Sequence, residues 1–176
     1  MTATNNFTLR FYFQTLTRLL GEPRLFFGTC LPQAGWKQPL GFLIVSSLFF
    51  ASASIMGSTH PKLAIMAGIF FINAVGMPLV AAGLGYMVMT LMMGRRVGFA
   101  RFFSIYALSS GVTLLVSWVP FFIPFTEPWK WWLIATGMVG GFGFKWAQVL
   151  LIIGLSVGIW LLLFWTALPL IIPGGV

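Results

Sequence analysis

Between Leu63 and Met93 the chain runs for 31 residues without a charged side chain. As a helix this stretch reaches about 46 Å at roughly 1.5 Å per residue, longer than a hydrocarbon core of about 30 Å. What surrounds such a rod is decided by composition. Only 7% of the 176 residues are charged and 59% are hydrophobic. A soluble domain is usually about 25% charged. A chain this poor in charge cannot cover a globule with polar surface, so it reads as an integral membrane protein. Pro78 lies midway along the long run and is expected to kink it. Its Met-rich end (Met87, Met89, Met92, Met93) is expected to emerge into the interface.

Four more apolar stretches follow the same reading. Pro39–Ser58 is uncharged and has about the length of one span. A third span runs from Phe102 to Pro124, with Trp118, Pro120 and Pro124 at its far end. The belt of Trp129, Trp131 and Trp132 after it suits the headgroup level. The last span is Val149–Ile172. The fourth, Trp131–Phe144, is short. Its fourteen residues reach only about 21 Å as a helix, and they include Gly137, Gly140, Gly141 and Gly143. It is either a short span or a re-entrant segment protected by its neighbours.

Charge decides the topology. With five spans, Arg10, Arg18, Arg24, Lys37, Arg95, Arg96, Arg101 and Lys145 share one side, and only Lys62 and Lys130 lie on the other. Cytoplasmic loops carry the excess of Lys and Arg, so the N-terminus is cytoplasmic and the C-terminus outside. A re-entrant fourth segment would return the C-terminus to the cytoplasm. The basic residues flank apolar runs, where topology and anionic lipid explain them without nucleic acid. The first residues lack the clean apolar core of a signal peptide.

The expected architecture is therefore all-α: residues 1–38 form a juxtamembrane segment and residues 39–176 a transmembrane bundle. In the first part, Leu9, Phe13, Leu16 and Leu20 recur at helical spacing while Arg10, Gln14 and Thr17 fall on another face. This is an amphipathic helix for the interface plane. Gly21 can end it and Pro23 can open a second short helix. Glu22, beside that start, is favoured by the helix dipole and by Arg18 and Arg24. Phe26 and Phe27 are expected to dip toward the acyl chains. Arg18, Glu22, Arg24, Phe26 and Phe27 are thus either an interfacial anchor or a surface for a partner or lipid headgroup.

FYFQTLTRLLGEPRLFF followed by GWKQPLGFLIVSSLFFASASIM resembles the prokaryotic members of the Yip1-domain family. The elbow Pro23, Arg24, Phe26 and Phe27 and the span-opening Pro39 carry the likeness. FARFFSIYA, WVPFFIP, WWLIATGMVGG and the Lys145 turn extend it along the chain. The resemblance implies five spans, a cytoplasmic N-terminus and a bacterial inner membrane. It brings no catalytic residues. Eukaryotic relatives are membrane-trafficking factors that bind small GTPases and one another and carry a longer cytosolic N-terminal segment, so GTPase binding is not carried over.

Little chemistry is in view. His60 is the single histidine and Cys30 the single cysteine, so no intrachain disulfide, bis-histidine haem or metal site is expected, and no cofactor. Cys30 is read as an inert thiol or an acylation site. Glu22 and Glu127 fall on opposite sides of the membrane and cannot work as an acid–base pair. Four spans contain no ionisable residue of the kind that marks a proton or ion path. Asn73 is the most polar side chain of the second span, and a hydrogen bond to a neighbouring helix is its expected role. Gly154 and Gly158 form a small-xxx-small motif in the last span. Ser47, Ala51 and Ser54, and Ser109, Ser110 and Gly111, make similar faces. These faces are spent either inside the bundle or on another subunit. The reading is a non-enzymatic adaptor or accessory subunit that works through helix packing and lipid contacts. The alternatives are a binding slot or passage for a lipid or quinone, and a structural subunit of a respiratory or transport complex.

Overall fold

The computed structural model describes residues 7–30, 35–56, 61–94 and 97–171. Ser58, His60, Arg95, Arg96, Ile172 and the residues after it lie outside that set, as does the side chain of Cys30. The described residues form helices and no strand: α1 (Leu9–Gly21), α2 (Pro23–Cys30), α3 (Lys37–Ile55), α4 (Leu63–Met93), α5 (Phe99–Ser117), α6 (Ile123–Phe142) and α7 (Trp146–Ile171). A 3-10 turn, Pro120–Phe122, joins α5 to α6. Four of the helices are long and apolar enough to cross a membrane: α3, α4, α5 and the first 18 residues of α7.

α5 is the hub. It packs against α3, α4 and α6, and every residue from Phe102 to Thr113 is buried. Over the span windows, 67% of α5 is buried but only 11% of α4 and 17% of α7. The physical reason is residue size. Ser104, Ala107, Ser109, Ser110 and Gly111 let neighbours approach α5 closely on several sides. A Cβ at Gly111 would lie 2.7 Å from the Phe42 ring of α3. Ser47 and Ala51 are buried as well, so the small faces expected on α3 and α5 are spent inside the bundle.

The end of the third span and the whole of the fourth segment differ from expectation. α5 stops at Ser117 and not at Pro124. Pro120 and Pro124 lack a donor N–H, which a helix interior needs but a first turn does not. Accordingly Pro124 sits in the opening turn of a new helix. The expected fourteen-residue segment is in fact the 20-residue α6, which begins at Ile123. It is one continuous helix, about 30 Å long at 1.5 Å per residue. Its first turns hold Thr126, Glu127, Pro128 and Lys130, and it is not among the four helices long and apolar enough to cross a membrane. Gly143, at φ +65°, closes it in the left-handed conformation that glycine adopts most readily. α4 coincides with the uncharged run read from the sequence, with Pro78 inside it.

α1 and α2 form a hairpin-like elbow on the bundle. Thr8 caps α1 by accepting the Phe11 N–H at 3.2 Å. The Glu22 N–H closes the other end by donating to the Arg18 carbonyl at 2.8 Å. The buried face of α1 is Tyr12, Thr15 and Leu19. Tyr12 stacks on Phe42 with centroids 4.7 Å apart, and its hydroxyl lies 3.0 Å from Ser46 Oγ. The stripe of Leu9, Phe13 and Leu20 therefore points away from the protein.

Phe26 and Phe27 correct the sequence reading. They do not dip outward; both are buried, Phe27 completely. α2 lies against α6 because glycine faces glycine there. Gly28 approaches the Gly140 carbonyl, and Gly140 approaches the Arg24 carbonyl and the Gly28 amide. That close approach drives Phe27 against Gly137.

Candidate functional site

The polar residues of α5 lie on one stripe. Tyr106, Ser110, Thr113 and Ser117 are spaced by four, three and four residues, so they share a face. Tyr106, Ser110 and Thr113 are buried and Ser117 is half-buried. Their face lines a half-open cleft of about 460 Å³ walled by α4, α5, α6 and α7, with Phe50 of α3 at its side.

Each wall uses a helical face in the same way. α4 supplies Asn73, Ala74, Met77, Pro78, Ala81 and Leu84. α6 supplies Ile123, Thr126, Glu127, Lys130, Trp131 and Ile134. α7 supplies Ser156, Val157, Trp160 and Leu161. The residues come from the middle to C-terminal part of α5, the N-terminal to middle part of α6 and the middle of α4 and α7. This cleft therefore belongs to the end of the bundle away from the α2–Gly140 contact.

The hydroxyls differ in what they are free to do. Thr113 donates to the Ser110 carbonyl at 3.0 Å and Ser156 to the Ile152 carbonyl at 2.7 Å. Ser117 lies 2.8 Å from the Thr113 carbonyl and 3.1 Å from Thr126 Oγ1, which links α5 to α6. These groups are committed to the backbone or to one another. Tyr106 is different. Its hydroxyl is buried without a hydrogen-bond partner, in the space that the absent side chain of Gly85 leaves. Such an orphan donor costs about 1–3 kcal/mol. Pro78 adds an acceptor: it cannot donate to the Ala74 carbonyl, which therefore lacks its helical partner beside the cleft.

The charged end is Glu127 and Lys130. Lys130 Nζ is 2.6 Å from Glu127 Oε1 and 5.6 Å from the centre of the Trp131 ring. This is the one ion pair among the described residues. The cleft thus has hydroxyls along one wall, aliphatic and aromatic side chains on the others, and a neutralised charge pair at one end. It offers recognition chemistry. No three His, Cys, Asp or Glu side chains cluster among the described residues.

The residues singled out from the sequence fall into separate places. Arg18, Glu22 and Arg24 are exposed on the elbow and form no ion pair among the described residues. Phe26 and Phe27 lie beneath them in the core. Asn73 is exposed and makes no hydrogen bond to a neighbouring helix; it stands at the edge of the cleft instead. Gly154 and Gly158 are exposed, with nothing packed where a Cβ would be, so this motif is not spent inside the bundle. The sequence reading did not join the cleft residues on α5, α6 and α7: it put Ser110 on a packing face, Trp131 in the headgroup belt, and Glu127 and Lys130 on the outer side. The Tyr–Ser–Thr–Ser stripe of α5 was the available signal.

Comparison with protein-family models, with curated proteins and with solved structures finds no match to this chain.

Proposed function

We propose that this chain is a non-catalytic membrane protein that holds one lipid- or quinone-like molecule in the cleft between α4, α5, α6 and α7. The observation that carries this reading is the cavity of about 460 Å³, apolar for most of its wall and polar at one end. Ligand pockets fall in the range of about 300–1,000 Å³ and use a few placed polar groups for orientation. The test is native purification in mild detergent followed by mass spectrometry of bound small molecules. One stoichiometric amphiphile is expected, and Ala81→Trp, which fills the cleft, should abolish it. Retention of the same molecule by Ala81→Trp would sink the reading.

The proposed setting is a bacterial inner membrane crossed five times, with α6 as the fourth crossing. The N-terminus is then cytoplasmic, the C-terminus outside, and the cleft belongs to the outer half. The positive-inside asymmetry of eight basic residues against Lys62 and Lys130 supports this orientation. α1 then lies at the cytoplasmic interface with Leu9, Phe13 and Leu20 toward the acyl chains and Arg18, Glu22 and Arg24 at headgroup level.

A second reading is a Yip1-like adaptor or accessory subunit, possessing partners in the membrane or pairing with itself. The outward faces of α4 and α7, with Gly154 and Gly158 uncovered, favour it. A permanent place in a respiratory or transport complex is the extreme form of the same idea. Charge reversal at Arg18 and Arg24 should release a co-purifying protein while the bundle stays folded; unchanged co-purification would reduce the elbow to an anchor.

A further inference from the structure

The charges of the cleft come as a pair. Glu127 and Lys130 are the only Asp, Glu, Lys or Arg residues that line it among the described residues. Lys130 is the more enclosed of the two, with 23% of its side chain exposed against 52% for Glu127. The pair has no net charge. An anion that takes Lys130 brings its own charge beside the Glu127 carboxylate. A cation that takes Glu127 brings its own beside the ammonium of Lys130. A head that carries both charges replaces both contacts together and leaves neither partner alone.

We propose that the cleft selects a single-chain amphiphile whose head is zwitterionic, a phosphate joined to an ammonium. This rests on the cleft reading above. The phosphate meets Lys130 and the ammonium meets Glu127. Asn73, which makes no hydrogen bond among the described residues, stands at the edge of the same cleft and can donate to an ester or phosphate oxygen. The chain then runs along Met77, Ala81, Leu114 and Ile134 toward Leu84. At about 460 Å³ the cavity lies in the lower half of the range for ligand pockets, which favours one chain over two.

Trp131 and Trp160 line the cavity and report on occupancy. The full chain in detergent is titrated with three single-chain amphiphiles brominated on the chain: a phosphoethanolamine, a phosphoglycerol and an alkylammonium. Bromine quenches only a tryptophan it approaches, and the signal lost in Trp160→Phe identifies the site. The expected result is saturable quenching by the phosphoethanolamine, roughly tenfold tighter than by the other two. Glu127→Gln should move the preference to the phosphoglycerol, and Lys130→Gln to the alkylammonium. The double exchange Glu127→Lys with Lys130→Glu should restore preference for the zwitterion. Equal affinity for all three heads, or a preference that neither single variant moves, overturns the head assignment while the cleft reading stands. Absence of saturable quenching by any of the three overturns the head assignment, and absence of a co-purifying amphiphile as well overturns the cleft reading.

Discussion

At the scale of single residues, glycines that look alike in the sequence do different work. A Cβ at Gly111 would meet the Phe42 ring at 2.7 Å, and Phe42 cannot retreat because Tyr12 is stacked on it. Gly111→Ala is therefore expected to cost about 1–3 kcal/mol through overpacking. Gly68 meets nothing within 4 Å. Gly68→Ala is expected to be neutral or to stabilise by up to about 1 kcal/mol, since alanine loses less entropy in a helix. Thermal unfolding midpoints in one detergent measure both, and equal midpoints would contradict the α3–α5 packing. Tyr12→Phe removes the hydroxyl that meets Ser46 and should lower stability by about 1 kcal/mol. At this scale the sequence was only half legible. It marks each glycine as small, but which ones face a ring and which face outward depends on neighbours far away in the chain.

At the scale of elements, the elbow and α6 carry the largest departures from expectation. The sequence places the break between α1 and α2 correctly, because Gly21, Glu22 and Pro23 act through local backbone chemistry. It puts Phe26 and Phe27 on the wrong side, because a Phe pair beside arginines suits lipid and core equally well. The Gly28–Gly140 approach settles the matter by bringing α2 against α6. Phe27→Ala is expected to cost about 3–5 kcal/mol and to speed amide exchange through α1 and α2. Exchange unchanged in the elbow would mean that Phe27 does not hold it down. α6 was misread for a related reason. Prolines, a glutamate and a lysine lower its apolarity over the first turns, yet these residues sit where a helix start tolerates them and where they line a cleft.

At the scale of the whole molecule, the orientation of the bundle is open to a direct measurement. With Cys30 replaced by serine, single cysteines at Arg18 and at Lys130 should react with a membrane-impermeant maleimide from opposite sides of sealed vesicles. Lys145→Cys should behave like Arg18→Cys if α6 crosses fully. Labelling of Lys145→Cys from the Lys130 side would instead make α6 re-entrant. The sequence by itself determined that the chain is helical and built for lipid. Those properties are sums over local composition and periodicity, and any part of an apolar run reports them. It also carried the polar stripe from Tyr106 to Ser117, because helical spacing puts those residues on one face wherever the helix goes. Only the tertiary structure decided that this stripe faces Asn73, Glu127, Lys130 and Ser156 across a cavity. In a chain this uniformly apolar, burial in protein and burial in lipid satisfy a side chain about equally. Hydrophobicity therefore does not choose the inward faces. Close approach at small residues, a property of pairs of helices and not of either one alone, makes that choice.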